Sequence, residues 1–300
     1  MPLPALPMRL DPDQLAALSA ILRFGSFEAA ARALNVTSPA ISQRIKALED
    51  RVGAPLILRG SPCTATEAGR HVTRHADQVA QLEAHLAREL GHRPEARPIR
   101  IALNADSLAT WFPAALARTD GMLFDLEVDD QAHSDTWLRE GAVSAAVTAR
   151  STPVQGCDCY PLGALMYVAT ASPGFAARWF PDGVTAQALA QAPMLVFNQK
   201  DRLQHEWMAQ FCEASPATPI HRIPSTTGFV EAALHGLGWG LNPAELVEPL
   251  IKSGALVAIG GEAARMGTPL HWQVSRLLAP ALEPLTRAIR AQARLRLRGL

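Results

Sequence analysis

NVTSPAISQRIK, residues 35–46, sets an apolar edge against a polar one at helical spacing. With Ile41 at zero degrees on a helical wheel, Ile45 and Leu48 fall beside it and face inward. Pro39, Ser42, Gln43 and Lys46 fall on the far side, small or hydrogen-bonding and none acidic. Asn35-Val36 reads as a turn, Thr37 or Ser38 as the helix cap, and Pro39 lies in the first turn, where a missing N–H leaves no bond unmade. Upstream, Asp11 and Pro12 start a helix carrying Leu15, Leu18 and Leu22, and Gly25 ends it. Ser26 caps a short second helix containing Phe27, Ala30, Ala31 and Leu34. Residues 11–50 thus read helix, helix, tight turn, helix.

Two short helices joined by a tight turn, the second presenting small polar and basic groups, form a helix-turn-helix. The major groove admits one such helix. Gln43 can offer its amide to adenine, Ser42 can bond to several bases, and Arg44 lies on the flank, in reach of phosphate or guanine. Lys46 and the helix's first amides suit phosphates. The chain has 28 basic and 28 acidic residues, so its net charge gives no general attraction to a polyanion. Residues 30–60, however, hold Arg32, Arg44, Lys46, Arg51 and Arg59 against Glu49 and Asp50, so positive charge is local. A plainly solvated polar face is the alternative on wheel geometry alone.

Working outward, residues 56–58 form a short strand, 60–62 a turn and 64–66 a returning strand. A helix over 68–90 follows. Its apolar residues Val72, Ala76, Val79, Leu82, Leu86 and Leu90 make a narrow seam suited to pairing with another helix. Residues 91–98, GHRPEARP, read as a hinge. From Ile99 apolar strands (99–103, 124–128, 143–148, 166–171, 194–197, 256–259, 271–274) alternate with helical stretches such as 201–212 and 228–237. That alternation predicts an α/β domain with largely parallel strands, in two sheets given its length. The last helix, from Leu282, is rich in arginine, and plain solvation of those side chains competes with contact to a second chain or to DNA.

At 300 residues with 48% hydrophobic and 19% charged side chains, the chain supports about two packed domains. The N-terminal MPLPALPMRL breaks with prolines the apolar run a signal peptide needs, and no apolar stretch approaches a membrane span, so a cytoplasmic protein with reduced cysteines is expected. Cys157 and Cys159 are too closely spaced for a zinc pair and have no second pair, so no metal or cofactor is expected. His71 and His75 share a helix face as in zinc proteases, but Val72 stands where the glutamate base belongs. Gly236, Gly238 and Gly240 follow a helix, the wrong context for a dinucleotide loop. These failures argue against an enzyme.

FGSFEAAARALNVTSPAISQRIKALEDRVGAPLILR (24–59) and TATEAG (64–69) resemble the N-terminal domain of the LysR-type transcriptional regulators. The likeness rests on Ala29-Ala30, Leu34, Ser38-Pro39-Ala40, Ser42, Ile45, Leu48-Glu49, Gly53, Leu56, Arg59 and Thr66 through Gly69. It implies an α+β winged helix-turn-helix over 1–67, a linker helix over 68–90 that pairs two chains, and a hinge over 91–98. It further implies a periplasmic-binding-protein-like effector domain over 99–300 made of two Rossmann-like α/β subdomains, I (about 99–170 and 268–300) and II (about 171–267). The implied DNA contacts are Ser26, Thr37, Ser38, Pro39, Ser42, Gln43, Arg44 and Lys46, with Arg59 on the wing. The wing departs from the family in lacking a second basic residue, and Cys63-Thr64 stand where it is expected.

In the second domain NADSLATWFPAAL, 104–116, places Asp106 or Ser107 as a helix cap at a strand end, where amides and the hydroxyls of Ser107 and Thr110 can hold a carboxylate. NADSLATW, VDD (128–130), REGAVSAAVT, FPDGVTAQAL and STTGFVEAALHGLG resemble the branch of the family that senses lysine and arginine and controls export or metabolism of basic amino acids. That resemblance implies Asp130 and Asp201 as partners for ammonium groups, Thr226 and Thr227 facing the cleft, and Trp111 over the ligand's aliphatic stem, with Asp106 and Asn198 lining the same site. Asn198 replaces an acid the branch carries, and Lys200 and Arg202 add cations nearby, so a non-basic small carboxylate remains an alternative effector. The expected partners are double-stranded DNA, a small effector, a second or further copy of the chain as dimer or dimer of dimers, and RNA polymerase, with no membrane. A solute-binding protein is the rival from another class, disfavoured by the added N-terminal domain and the missing signal peptide.

Overall fold

The computed structural model describes residues 9–92, 98–128, 134–139, 141–213 and 217–299. The chain divides into two compact units, Met1–Arg97 and Pro98–Leu300.

The first unit contains helices α1 (Pro12–Phe24), α2 (Phe27–Ala33) and α3 (Ser38–Val52), strands β1 (Ile57–Leu58) and β2 (Thr64–Ala65), and helix α4 (Glu67–Glu89). The caps follow from local chemistry. Asp11 accepts from the amides of Asp13 and Gln14 to open α1, and Gly25 closes it at φ +76°, where a side chain would be strained. Ser26 caps α2, and Thr37 rather than Ser38 caps α3, accepting from the Ala40 amide at 3.3 Å. Ile41, Ile45 and Leu48 are fully buried among Leu18, Ile21, Ala30 and Leu56, each contributing about 1.5–3 kcal/mol of apolar burial. The strand pair is the predicted hairpin, with Ile57 opposite Ala65. Gly69 lies so close beneath it that a Cβ there would sit 2.0 Å from the Leu56 carbonyl oxygen. Only the head of the α4 seam belongs to this core: Val72 and Ala76 are buried, whereas Leu86 and Leu90 are 54% and 65% exposed.

The second unit begins with β3 (Pro98–Leu103), α5 (Ala105–Ala109), α6 (Phe112–Leu116), β4 (Leu123–Val128), α7 (Ser134–Arg139) and β5 (Ala145–Thr148). It continues with β6 (Cys157–Ala171), α8 (Pro173–Trp179), α9 (Ala186–Gln191), β7 (Met194–Val196), α10 (Leu203–Met208), β8 (Ile220–Arg222) and α11 (Thr226–Leu234). It ends with β9 (Gly240–Pro243), α12 (Ala244–Lys252), β10 (Val257–Ala258), β11 (Arg265–Ser275) and α13 (Glu283–Arg296). Seven strands form one sheet in the order β10-β6-β11-β5-β3-β4, with β9 also on β6, and β7 and β8 form a second.

The expectation of largely parallel strands is corrected. Only β3 with β4, β3 with β5, and β7 with β8 pair in parallel, and the remaining pairings are antiparallel. The reason is length. β6 and β11 were legible as short apolar runs, but they are 15 and 11 residues long and pair with each other antiparallel over Arg265–Ser275. Polar, proline or glycine residues such as Asp158, Pro161, Gly163, Arg265, Gly267 and Thr268 interrupt the apolar pattern, so the apolar runs mark only part of each strand. The arginines of α13 lie outside a buried stripe of Leu285, Ile289 and Ala293; Arg287 pairs with Glu283, Arg296 with Glu245, and Arg290 lies over the Tyr160 ring at 4.9 Å. Gly240 is a packing residue, since a Cβ there would meet the Phe229 ring at 2.6 Å. His71 and His75 are exposed on α4, and among the described residues no three of His, Cys, Asp or Glu group as a metal site. No helix among them is long and apolar enough to cross a membrane.

Candidate functional site

The first candidate surface is the outer face of α3. Ser42, Gln43 and Lys46 are exposed on it, opposite buried Ile41, Ile45 and Leu48. Thr37 and Pro39 are exposed at its start and Ser38 is half-buried. Ser26 accepts from the Ala29 amide at 3.1 Å and so opens α2. The face is braced from behind, because Glu49 Oε1 accepts from the Leu56 amide at 2.8 Å and ties α3 to the start of the hairpin.

Two cations expected at this surface are held by partners within the unit. Arg59 on the wing is exposed, with its guanidinium 5.1 Å over the Phe27 ring. Arg44, on the flank of α3, pairs with α1: its Nη2 lies 2.8 Å from Asp13 Oδ2. A flank contact to phosphate or guanine would have to compete with this pair, and Asp13 is the residue that sequence reading passed over. The wing departure has a structural cause too. Cys63 is buried, and its amide donates to the Gly25 carbonyl at 2.8 Å, so Cys63 packs the wing onto the α1–α2 corner, whereas Thr64 is exposed.

The second candidate surface lies in the second unit where β3 gives way to α5. Asn104, not Asp106 or Ser107, caps α5, its Oδ1 accepting from the Ser107 amide at 3.0 Å. This frees Asp106 for long-range contacts. Asp106 Oδ2 accepts from the Tyr167 hydroxyl at 2.8 Å and Oδ1 from the Thr226 hydroxyl at 2.7 Å. Burial pushes the Asp106 carboxyl above its usual range; the hydroxyls of Thr226 and Tyr167 pull it back, and the negative charge of Asp201 raises it further. Two acids thus act on one another here, and a cation placed beside Asp106 would relieve both burial and repulsion.

The remaining predicted residues divide. Ser107 is fully buried and its Oγ accepts from Trp111 Nε1 at 3.1 Å. Trp111 is itself fully buried, edge-on to Phe112 at 5.4 Å. It is a core residue and does not cover a ligand stem, so that expectation is corrected. Thr110 turns its hydroxyl back onto the Asp106 carbonyl, an i to i−4 bond along the backbone, and does not offer it to a carboxylate. Asn198 Oδ1 accepts from the Lys200 and Asp201 amides, and Asp201 accepts from the Phe197 and Leu203 amides. These two side chains shape the 197–203 loop, and the charge of Asp201 acts on Asp106. Thr226 is buried at the head of α11, whereas Thr227 is exposed beside the capping Ser225. Asp130 lies outside the described residues. Tyr167 carried no signal in the sequence beyond being a tyrosine in an apolar strand.

Both units match known proteins. Residues 12–70 match the family model of the bacterial regulatory helix-turn-helix proteins of the lysR family, and residues 92–294 match that of the LysR substrate binding domain. The HTH-type transcriptional regulator LysG of Mycobacterium tuberculosis is 42% identical over 287 residues, covering 95% of this chain and 94% of that protein. The crystal structure of ArgP from Mycobacterium tuberculosis superposes with a TM-score of 0.83 at 42% identity, over 97% of this chain and 100% of that one. Full-length LysG from Corynebacterium glutamicum with bound effector Arg superposes with a TM-score of 0.70 at 37% identity, over 96% of this chain and 99% of that one.

Proposed function

The chain belongs to the LysR family of bacterial helix-turn-helix regulators, and we propose that it senses a basic amino acid, lysine or arginine, to control amino-acid export or metabolism. The outer face of α3 reads the major groove through Ser42 and Gln43, with Lys46 and the start of the helix on phosphates and Arg59 at the wing. The exposed tail of the α4 seam pairs two chains in the cytoplasm, as a dimer or a dimer of dimers, because Leu86 and Leu90 gain burial only from a partner. In the second unit the effector's cationic group sits at Asp106.

The Asp106 carboxylate carries the sensing reading. It is partly buried, gripped by two hydroxyls and repelled by a second acid. A neutral ligand leaves that charge uncompensated; an ammonium or guanidinium group answers it with a charge-assisted bond. The bound Arg of the Corynebacterium glutamicum LysG structure supports the same class of ligand.

A thermal-shift series with each amino acid tests it. A ligand at a hundredfold excess over its Kd stabilises by about 2.7 kcal/mol, so lysine or arginine should raise the melting temperature in a saturable way. Stabilisation by an acidic or neutral amino acid alone would replace this reading with the non-basic carboxylate, which Lys200 and Arg202 near the site favour.

A further inference from the structure

Tyr167 and Asp106 are 61 residues apart in the chain, and Thr226 is 120 residues from Asp106. Their meeting is built by the fold. Tyr167 lies on β6, paired with Met266 of β11 on one side and Pro243 of β9 on the other. At 1% exposure its ring has no room to swing, so its hydroxyl is a fixed donor. A carboxylate offers about four acceptor sites. Tyr167 and Thr226 each take one, on different oxygens, which leaves both oxygens able to accept again from a ligand.

We infer that Tyr167 is a positioning residue of the effector cleft: its hydroxyl, opposite that of Thr226, fixes the Asp106 carboxylate in direction and keeps it ionised, so that the site takes ligands bearing an ammonium or guanidinium group. This rests on the amino-acid-sensing reading. Burial and the charge of Asp201 favour protonating Asp106, while the hydroxyls of Tyr167 and Thr226 favour the charged form. Among the described residues these are the groups acting on Asp106: Asp201 from the 197–203 loop, Tyr167 from β6 and Thr226 from α11. Removing the phenol hydroxyl tips the balance toward the neutral acid, which no longer attracts a cation.

The test is calorimetric titration of full-length wild type and Tyr167→Phe with L-arginine and L-lysine, from mildly acidic to mildly alkaline pH. Phenylalanine keeps the buried ring, so the packing survives. The variant should match wild type at the alkaline end and bind about tenfold more weakly at the acidic end, its midpoint moved up by about one pH unit. Thr226→Val should move the midpoint in the same direction. A loss of equal size at every pH, or profiles that superimpose, would overturn the role of Tyr167. Failure of wild type to bind either amino acid would instead sink the sensing reading. The pH dependence of unfolding without ligand then still reads the grip on Asp106, and an unchanged profile in Tyr167→Phe overturns that grip too.

Discussion

Arg44 of α3 and Asp13 of α1 form an ion pair, 2.8 Å from Nη2 to Oδ2, on the flank of the helix proposed to enter the major groove. The pair is largely open to water on the Asp13 side, with side-chain exposures of 28% for Arg44 and 71% for Asp13. It therefore adds about 0.2–1 kcal/mol to folding at most. In the proposed docking its larger effect would be on DNA, because a guanidinium neutralised by Asp13 releases no counterion from the duplex. Asp13→Asn should raise affinity for unrelated sequences a few-fold and steepen the salt dependence by roughly 0.9 in log–log slope. Arg44→Ala should leave the wild-type slope in place and cancel the gain in the Asp13→Asn background. Weaker specific binding by Asp13→Asn would mean that Asp13 aims Arg44 at a base.

Gln43 is exposed on the same face and carries the amide suited to adenine. Gln43→Ala should relax discrimination at one base position by about 1–3 kcal/mol, with affinity for the rest of the site unchanged. Selection from a randomised operator measures this, and an unaltered preference would remove Gln43 from base reading.

Asp106 links pH to stability. Its carboxyl titrates above the ordinary range in the folded chain, chiefly because burial disfavours the charge. A folded-state value above the unfolded one contributes stability that is complete below the unfolded value, about 3.9 for an aspartate. That stability is lost as pH rises through the folded value. Ligand-free protein should therefore be less stable at neutral pH than Asp106→Asn, and the difference should shrink as pH falls through the raised value. The same substitution should abolish the thermal shift given by arginine or lysine. A destabilised Asp106→Asn at neutral pH would show that the hydroxyl contacts outweigh burial.

Ser107 and Trp111 form a closed, fully buried pair just after Asp106 in the sequence. Ser107→Ala leaves the buried indole N–H without its acceptor, a cost of about 1–3 kcal/mol. Denaturant unfolding should show it as a lower midpoint with an unchanged slope. Trp111→Phe removes the stranded donor, so the double variant should cost less than the sum of the two single changes. Strict additivity would place the hydroxyl elsewhere.

The DNA-binding unit was legible because its information is local. Asp11, Ser26 and Thr37 cap their helices within three residues of the amides they serve. Ile41, Ile45 and Leu48 declare the buried face by period alone, which leaves Ser42, Gln43 and Lys46 outside. Arg44 escaped that logic, since a flank residue can turn either way and Asp13 decides from 31 residues off.

The sequence by itself determined the helix-turn-helix, the hairpin and long helix behind it, and the alternating elements of the second unit, because capping and periodicity act over a few residues. Only the tertiary structure decided that Trp111 lies in the core and that Asp106 meets Tyr167 and Thr226. Those outcomes depend on which strands lie beside one another, and above all on the antiparallel run of β6 along β11. Strand order places a tyrosine hydroxyl at a carboxylate 61 residues away, and no local pattern encodes that distance.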